Sequence, residues 1–449
     1  MKAKYVFTIL VLLSAVFVLI LSNKDKEKSE YAIADRSGTI SSSSEWLNTS
    51  AAIKTLQGDL RKNPNNTKLK LQLALAYIQE SRVTGNHSYY DGAALALLDE
   101  VLNENPDEYE ALCAKATVLL SQHHFDEALV IGKHIINLNN YNAYGYGILT
   151  DAYVETGNYE KAIESADKMV SIRPDIRSYS RISYLREIFG DTEGAIAAMK
   201  LAVQSGIPGV EQTEWARVYL GYLHETKGDL KTASLLYEEA LIHRPHFAYA
   251  QAGFGRIEKY KKNYEESLMH FTNAKNNLHD NYFYEELAGV YYSMFKNKEA
   301  YAELTEAIKE LSYSEDNEEE SNHGHYSDME LANLYLKTYQ YGSALKHAQI
   351  EYNRRPDNID TQQTLAWVHY RRGEYQQAST LIDKAMRTNS KNPVLLFRAG
   401  MIKAKTGNTE LAKNLLHESL SLNPHMTADL MWEAKPIMEE IHPIALQKK

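Results

Sequence analysis

The sequence predicts an all-α solenoid of about ten helix hairpins standing side by side. Three observations carry that prediction. A small residue recurs roughly every 34 positions, at Ala94, Ala128, Ala162, Ala195, Ala233, Ser267, Ala300, Ala344, Ala378 and Ala412. Pro106, Pro174, Pro245, Pro356 and Pro424 each stand twelve residues after one of these, and Gly157, Gly190, Gly228, Gly373 and Gly407 each stand five before one. Between the marks, apolar residues are spaced three and four apart, the period of an amphipathic helix.

Composition narrows the class further. The chain has 449 residues, 44% apolar and 24% charged, which suits a folded protein. Ten Pro and 22 Gly exclude collagen-like and Pro-rich classes. A single cysteine, Cys113, excludes a disulfide framework within the chain. The net charge of -10 comes without any long Lys/Arg run, so nothing is available to neutralise a phosphate backbone and nucleic acid is not an expected partner.

Taken from the amino terminus, Lys2 and Lys4 precede an apolar run from Tyr5 to Leu21. Its length, roughly 26 Å as a helix, lies between a signal-peptide core and a membrane-spanning helix. Residues 1–23 therefore read as a signal or membrane anchor, which would put the rest of the chain outside the cytoplasm, in the periplasm or at the surface of a bacterial cell. Residues 24–44, with alternating charge and then Ser41-Ser42-Ser43-Ser44, read as a flexible linker. Ala52, Leu56 and Pro64 keep the spacing of a second helix, so 45–66 reads as a half repeat or capping helix. The solenoid proper spans 67–424, and 425–449 reads as a C-terminal capping helix and tail, since the last copy needs its apolar face covered.

Within each copy the small residue sits where two helices cross, and a larger side chain there would overpack the crossing at about 1–3 kcal/mol. The glycine turns the chain between the helices and the proline stops the second one. His123, Lys262 and Phe295 replace the glycine in three copies, whose turns are expected to differ. Each copy is expected to touch only its neighbours.

The third copy reads Tyr146-x-x-Leu149-x-x-x-Tyr153-x-x-x-Gly157-x-Tyr159-x-x-Ala162-x-x-x-Ala166, closing with Pro174. This pattern resembles the tetratricopeptide repeat family, and its register covers about Thr67 to Pro424. The resemblance implies a right-handed superhelix whose concave face holds a peptide or a partner's helix, and implies no catalysis. At the offsets that face inward in that family stand Arg181, Tyr184, Tyr219, Tyr222, Arg256, Tyr260, Tyr292, Trp367, Tyr370 and Arg371. Tyr, Trp and Arg in such numbers suit a protein-binding surface, because they bury large area at little rotameric loss and carry hydrogen-bonding tips. The clamp that chaperone-tail-binding members use is not assembled: Gly147 and Asp151 occupy two of its offsets in the third copy.

Two insertions interrupt the register. Eight extra residues around Gly85 to Tyr90 are expected to form an exposed turn in the first copy. The second insertion, Ser312 to His325, is acidic and histidine-bearing; it reads either as a solvated loop or as a divalent-cation site using His323, His325 and Asp328. The sequence contains no phosphate-binding loop, H-E-x-x-H, C-x-x-C or G-x-S-x-G. The expected function is therefore a non-enzymatic scaffold or receptor for a protein or peptide, without a cofactor or small-molecule substrate. The alternative is a cation-responsive or metal-dependent protein centred on 312–328.

Overall fold

The structure, a computed structural model, describes residues 44–318, 324–423 and 437. Every regular element among them is helical. Helix α1 (Ser44–Lys62) precedes ten hairpins. The first five are α2 (Thr67–Thr84) with α3 (His87–Glu104), α4 (Tyr109–Ser121) with α5 (Phe125–Leu138), α6 (Ala143–Glu155) with α7 (Tyr159–Ile172), α8 (Ile176–Ile188) with α9 (Thr192–Ser205), and α10 (Glu211–Thr226) with α11 (Leu230–His243). The others are α12 (Ala248–Tyr260) with α13 (Tyr264–Asn277), α14 (Asn281–Ser293) with α15 (Asn297–Glu318), α16 (Asp328–Lys337) with α17 (Tyr341–Arg354), α18 (Ile359–Arg371) with α19 (Tyr375–Ala385), and α20 (Pro393–Lys405) with α21 (Thr409–Leu422).

The small-residue register is the core of this architecture. All ten of its members, Ala94 through Ala412, are 0% exposed, each in the second helix of a hairpin. Ser267 is tolerated among the alanines because its hydroxyl donates to the Gly255 carbonyl at 2.7 Å, which satisfies the polar atom that burial would otherwise leave unpaired. Helices α3, α7, α11 and α17 end two residues before Pro106, Pro174, Pro245 and Pro356, as expected where proline removes a donor and disfavours helix in the residue before it. At the amino-terminal end Ile53 and Leu60 of α1 are buried in the core of the first copy. Residues 1–23 and nearly all of the predicted linker and C-terminal cap lie outside the described residues. Ile437, described on its own, is buried in the core of the last copies. No helix among the described residues is long and apolar enough to cross a membrane.

Three expectations are corrected. The turns lacking glycine do not differ. All ten hairpins pass through a left-handed residue: Gly85, Gly157, Gly190, Gly228, Gly373 and Gly407 in six, and His123, Lys262, Phe295 and Tyr339, with φ between 59° and 66°, in the others. The hairpin requires this because the next amide must fold back five residues, as Asn158 N–H does to the Tyr153 carbonyl at 2.8 Å and His124 N–H to Leu119 at 2.8 Å. Closure of the hairpin thus overrides a local preference of about 1–2 kcal/mol. The first-copy insertion is not an exposed turn either. It lengthens α2 and α3 to 18 residues each and buries Tyr90.

The third correction concerns the whole array. Hairpin turns of copies 1 to 4 rest on the linkers that lead into copies 7 to 10. His279 N–H donates to the Thr84 carbonyl at 3.2 Å, and Tyr326 N–H to Gln122 at 3.1 Å. Asn358 Nδ2 donates to the Val154 and Glu155 carbonyls at 3.3 and 3.1 Å, and Ile359 N–H to the Tyr159 hydroxyl at 3.0 Å. In copy 4, a Cβ on Gly190 would lie 2.6 Å from the Asn389 carbonyl oxygen. The offset is six copies each time, so six copies complete one superhelical turn and the second turn lies on the first. Contacts are therefore not confined to neighbours. An ion pair from Arg355 to Glu155 at 2.5 Å adds to the same seam.

Candidate partner-binding interior of the superhelix

The first helix of each hairpin repeatedly packs against the first helix of the next, and second helices do not pair with one another in this way. First helices therefore line the inside of the curve. On α10, Trp215, Tyr219 and Tyr222 follow at i, i+4 and i+7, which places them on one face. Their rings form a run, Trp215 stacked on Tyr219 at 5.2 Å and Tyr219 tilted to Tyr222 at 5.8 Å. The Tyr219 hydroxyl donates to the Glu187 carboxylate at 3.2 Å. Tyr184, Trp215 and Tyr222 keep 37%, 36% and 37% of their surface exposed. They form an inward aromatic stripe with open area.

Carboxylates flank the stripe. Burial pushes Glu187 up to about 7, against the stabilising Tyr219 hydrogen bond. Burial likewise pushes Glu155 up to about 7, while the Arg355 guanidinium opposes the shift. The hydroxyls of Tyr184 and Tyr219 are held well above their ordinary value by burial and by these neighbouring carboxylates. The interior is thus crowded enough to penalise charge, yet it retains accessible aromatic faces.

Farther along, Arg256 of α12 is the hub of a closed network. Its Nε and Nη2 donate to the two oxygens of Glu225 at 2.8 and 2.9 Å, and Nη1 donates to the Tyr282 hydroxyl at 2.6 Å. The hydroxyls of Tyr237 and Tyr260 donate to Glu225 at 2.7 and 2.9 Å. Burial opposes the charge on Arg256, and Glu225 more than offsets it, holding the guanidinium well above its ordinary value. Bidentate geometry of this kind is strong and rigid.

Between the two superhelical turns lies a cavity of about 510 Å³, lined by His123, Phe125 and Glu155 from the first turn and by Glu330, Asp360 and Arg398 among others from the second. Its polar groups are under-satisfied: Arg398 Nε, Gln363 Oε1 and Glu330 Oε2 are buried without a hydrogen-bond partner. Burial pushes Arg398 down to about 10, opposed by Asp360.

The sequence-predicted residues fall into three groups. Tyr184, Tyr219 and Tyr222 stand together in the interior. Arg181, Arg256, Tyr260 and Arg371 use their polar groups within the chain: Arg181 pairs with Asp151 at 2.8 Å, and Arg371 donates to the Tyr341 hydroxyl of the preceding copy at 2.7 Å. Tyr292 and Trp367 pack into cores, Trp367 being 4% exposed and stacked on Tyr370 at 4.6 Å. Of the predicted cation ligands, His325 meets His123 and Glu330 instead of Asp328. Asp328 is occupied by His347 at 2.6 Å and Arg354 at 2.5 Å, and these partners hold it below its ordinary value although burial acts the other way. His323 lies outside the described residues. Sequence reasoning missed Glu155, Glu187 and Glu225, although each stands two or three residues before a turn glycine, a recurrence that could have drawn them out.

These features define a superhelical array of helix hairpins with an aromatic and acidic interior. Residues 143–176, the third copy, match the tetratricopeptide repeat family model. No curated protein matches the chain. Among solved structures it is similar to a thermophilic tetratricopeptide-repeat protein of Thermus thermophilus, at 22% identity over 46% of this chain and 98% of that one, with a TM-score of 0.36. It is also similar to yeast Tom70, at 13% identity over 88% of this chain and 93% of that one (TM-score 0.38). PilW, a type IV pilus biogenesis factor, is 14% identical over 46% of this chain and 96% of that one (TM-score 0.38).

Proposed function

We propose that this chain is a non-enzymatic interaction scaffold that takes an extended segment of a partner protein into the interior of its superhelix. The observation that carries this reading is the inward stripe of Tyr184, Trp215, Tyr219 and Tyr222, with open aromatic area beside Glu155 and Glu187. Aromatic faces anchor apolar and cationic side chains, and the flanking carboxylates favour a segment that bears Lys or Arg. The apolar run Tyr5 to Leu21 behind Lys2 and Lys4 favours placement of the scaffold at a membrane, and the likeness of this segment to an export signal favours an array on the extracytoplasmic side.

The test is affinity capture from membranes with three forms of the full chain: wild type, a Tyr184→Ala/Trp215→Ala/Tyr222→Ala variant, and a control carrying Tyr141→Ala at an exposed position outside the stripe. Captured partners are then cut into synthetic peptides whose binding is measured directly. The proposal expects the control to bind as wild type does and the triple variant to lose at least tenfold in affinity while melting cooperatively. Equal binding by the triple variant would overturn it.

A further inference from the structure

Where the turn of copy 2 meets the segment entering copy 8, three metal-ligating side chains converge that the repeat architecture does not require. One nitrogen of His123, one of His325 and a carboxylate oxygen of Glu330 lie within 4.8 Å of one another. The two imidazole rings are 4.4 Å apart between centroids, and His123 Nδ1 is 3.9 Å from Glu330 Oε1. Both sides of the cluster are anchored. His123 Nδ1 is 2.9 Å from the Tyr326 carbonyl, His124 Nε2 is 2.5 Å from the Gly324 carbonyl, and Tyr326 N–H donates to Gln122. His123 is held in the left-handed region, where six other copies place glycine.

The carboxylate of the cluster is only partly satisfied within the chain, although the Arg355 guanidinium acts on it. Glu330 Oε2 is buried and accepts no hydrogen bond. Two imidazoles and a carboxylate are the donor set of a zinc-type centre, whereas Ca²⁺ and Mg²⁺ take oxygen ligands.

We propose that His123, His325 and Glu330 bind one divalent transition-metal ion of the zinc class across the two superhelical turns. Metal–ligand bonds of about 2.0–2.1 Å set tetrahedral ligands about 3.3 Å apart, so the set closes by about 1.5 Å at most through side-chain rotation. His123 and Glu330 also line the cavity between the turns, which leaves the fourth position open to water or a ligand. The ion ties copy 2 to copy 8 and thereby stabilises the seam, because it binds only where the two turns meet. Of the insertion the site uses His325, joined by Glu330 just beyond it and by His123 from the other turn of the superhelix.

The test is calorimetric titration of the chelator-treated full chain with Zn²⁺, Ca²⁺ and Mg²⁺, followed by thermal melting and by the absorption spectrum of the Co²⁺ form. His123→Gly is the decisive variant, because glycine satisfies the left-handed turn and the chain still folds. Glu330→Gln is the second. The expected result is one Zn²⁺ per chain, an affinity at least tenfold weaker in both variants, a melting temperature raised by Zn²⁺ more in wild type than in either variant at the same Zn²⁺ concentration, and a tetrahedral Co²⁺ spectrum lost in His123→Gly. Absence of stoichiometric Zn²⁺ uptake, or uptake unchanged in the two variants, would overturn the proposal. Peptide capture by the interior stripe is a separate measurement, so either result can fail without the other.

Discussion

Replacing Gly157 by alanine separates the two tasks that a turn glycine performs in this array. Gly157 and Gly373 both have φ of 80°, so alanine at either position incurs the left-handed penalty of about 1–2 kcal/mol. Beyond that the sites differ. A Cβ on Gly373 meets nothing within 4 Å, whereas one on Gly157 would overlap the Asp357 carbonyl group and lie 2.6 Å from the Asn358 amide nitrogen. Backbone atoms cannot rotate away, so the linker into copy 9 must lift. Lifting it breaks the two Asn358 Nδ2 bonds to Val154 and Glu155 and the Ile359 N–H bond to Tyr159. Three such bonds at a net value of about 1 kcal/mol each give an additional loss of about 3 kcal/mol for Gly157→Ala. Urea denaturation of both variants measures the difference, and hydrogen exchange at the Ile359 amide reports the seam locally. Equal destabilisation within about 0.5 kcal/mol, with Ile359 equally protected in both, would refute the reasoning.

Other perturbations follow from the same contacts. Phe295→Gly, at a left-handed position where the side chain is 89% exposed, is expected to stabilise by about 1 kcal/mol in chemical denaturation, because the strain is relieved and little packing is lost. Arg256→Met leaves the Glu225 side chain, 2% exposed, without its cation; the expected loss is about 3–5 kcal/mol, partly recovered by adding Glu225→Gln. Glu187 has its folded pKa raised to about 7, so its contribution to stability is fully present below its ordinary value of 4.5 and is lost as pH rises through 7. Glu187→Gln should remove that slope, and melts between pH 4.5 and 8 should show the variant gaining on wild type toward the alkaline end.

The hairpin register was legible because it is written in side chains. Each copy must place a small residue at the same crossing, and Ala94 through Ala412 report that demand directly. Turn geometry was only half legible: glycine marks the left-handed residue where it is present, but closure of the hairpin imposes the same φ on His123, Lys262, Phe295 and Tyr339. The seam left almost no trace. Its hydrogen bonds use the carbonyls of Thr84, Gln122, Val154 and Glu155, groups that every residue possesses, and only the crowding at Gly85, Gly157 and Gly190 encodes it. The site followed the same division. Inward offsets identified Tyr184, Tyr219 and Tyr222, whereas no spacing rule pairs His123 with His325, because six copies separate them and only the superhelical turn joins them.

The distance between Asn158, beside the turn of copy 3, and Asp357, in the linker into copy 9, tests the central claim most directly. Both are exposed and suited to spin labels carried on Asn158→Cys and Asp357→Cys. A superhelix that closes after six copies places the labels within about 20 Å, allowing for their tethers, because the backbones of 157 and 357 touch. An open array, advancing by a helix-packing distance of 8–10 Å per copy, would separate them by roughly 50 Å or more; a pulsed dipolar measurement returning that longer distance would contradict the account.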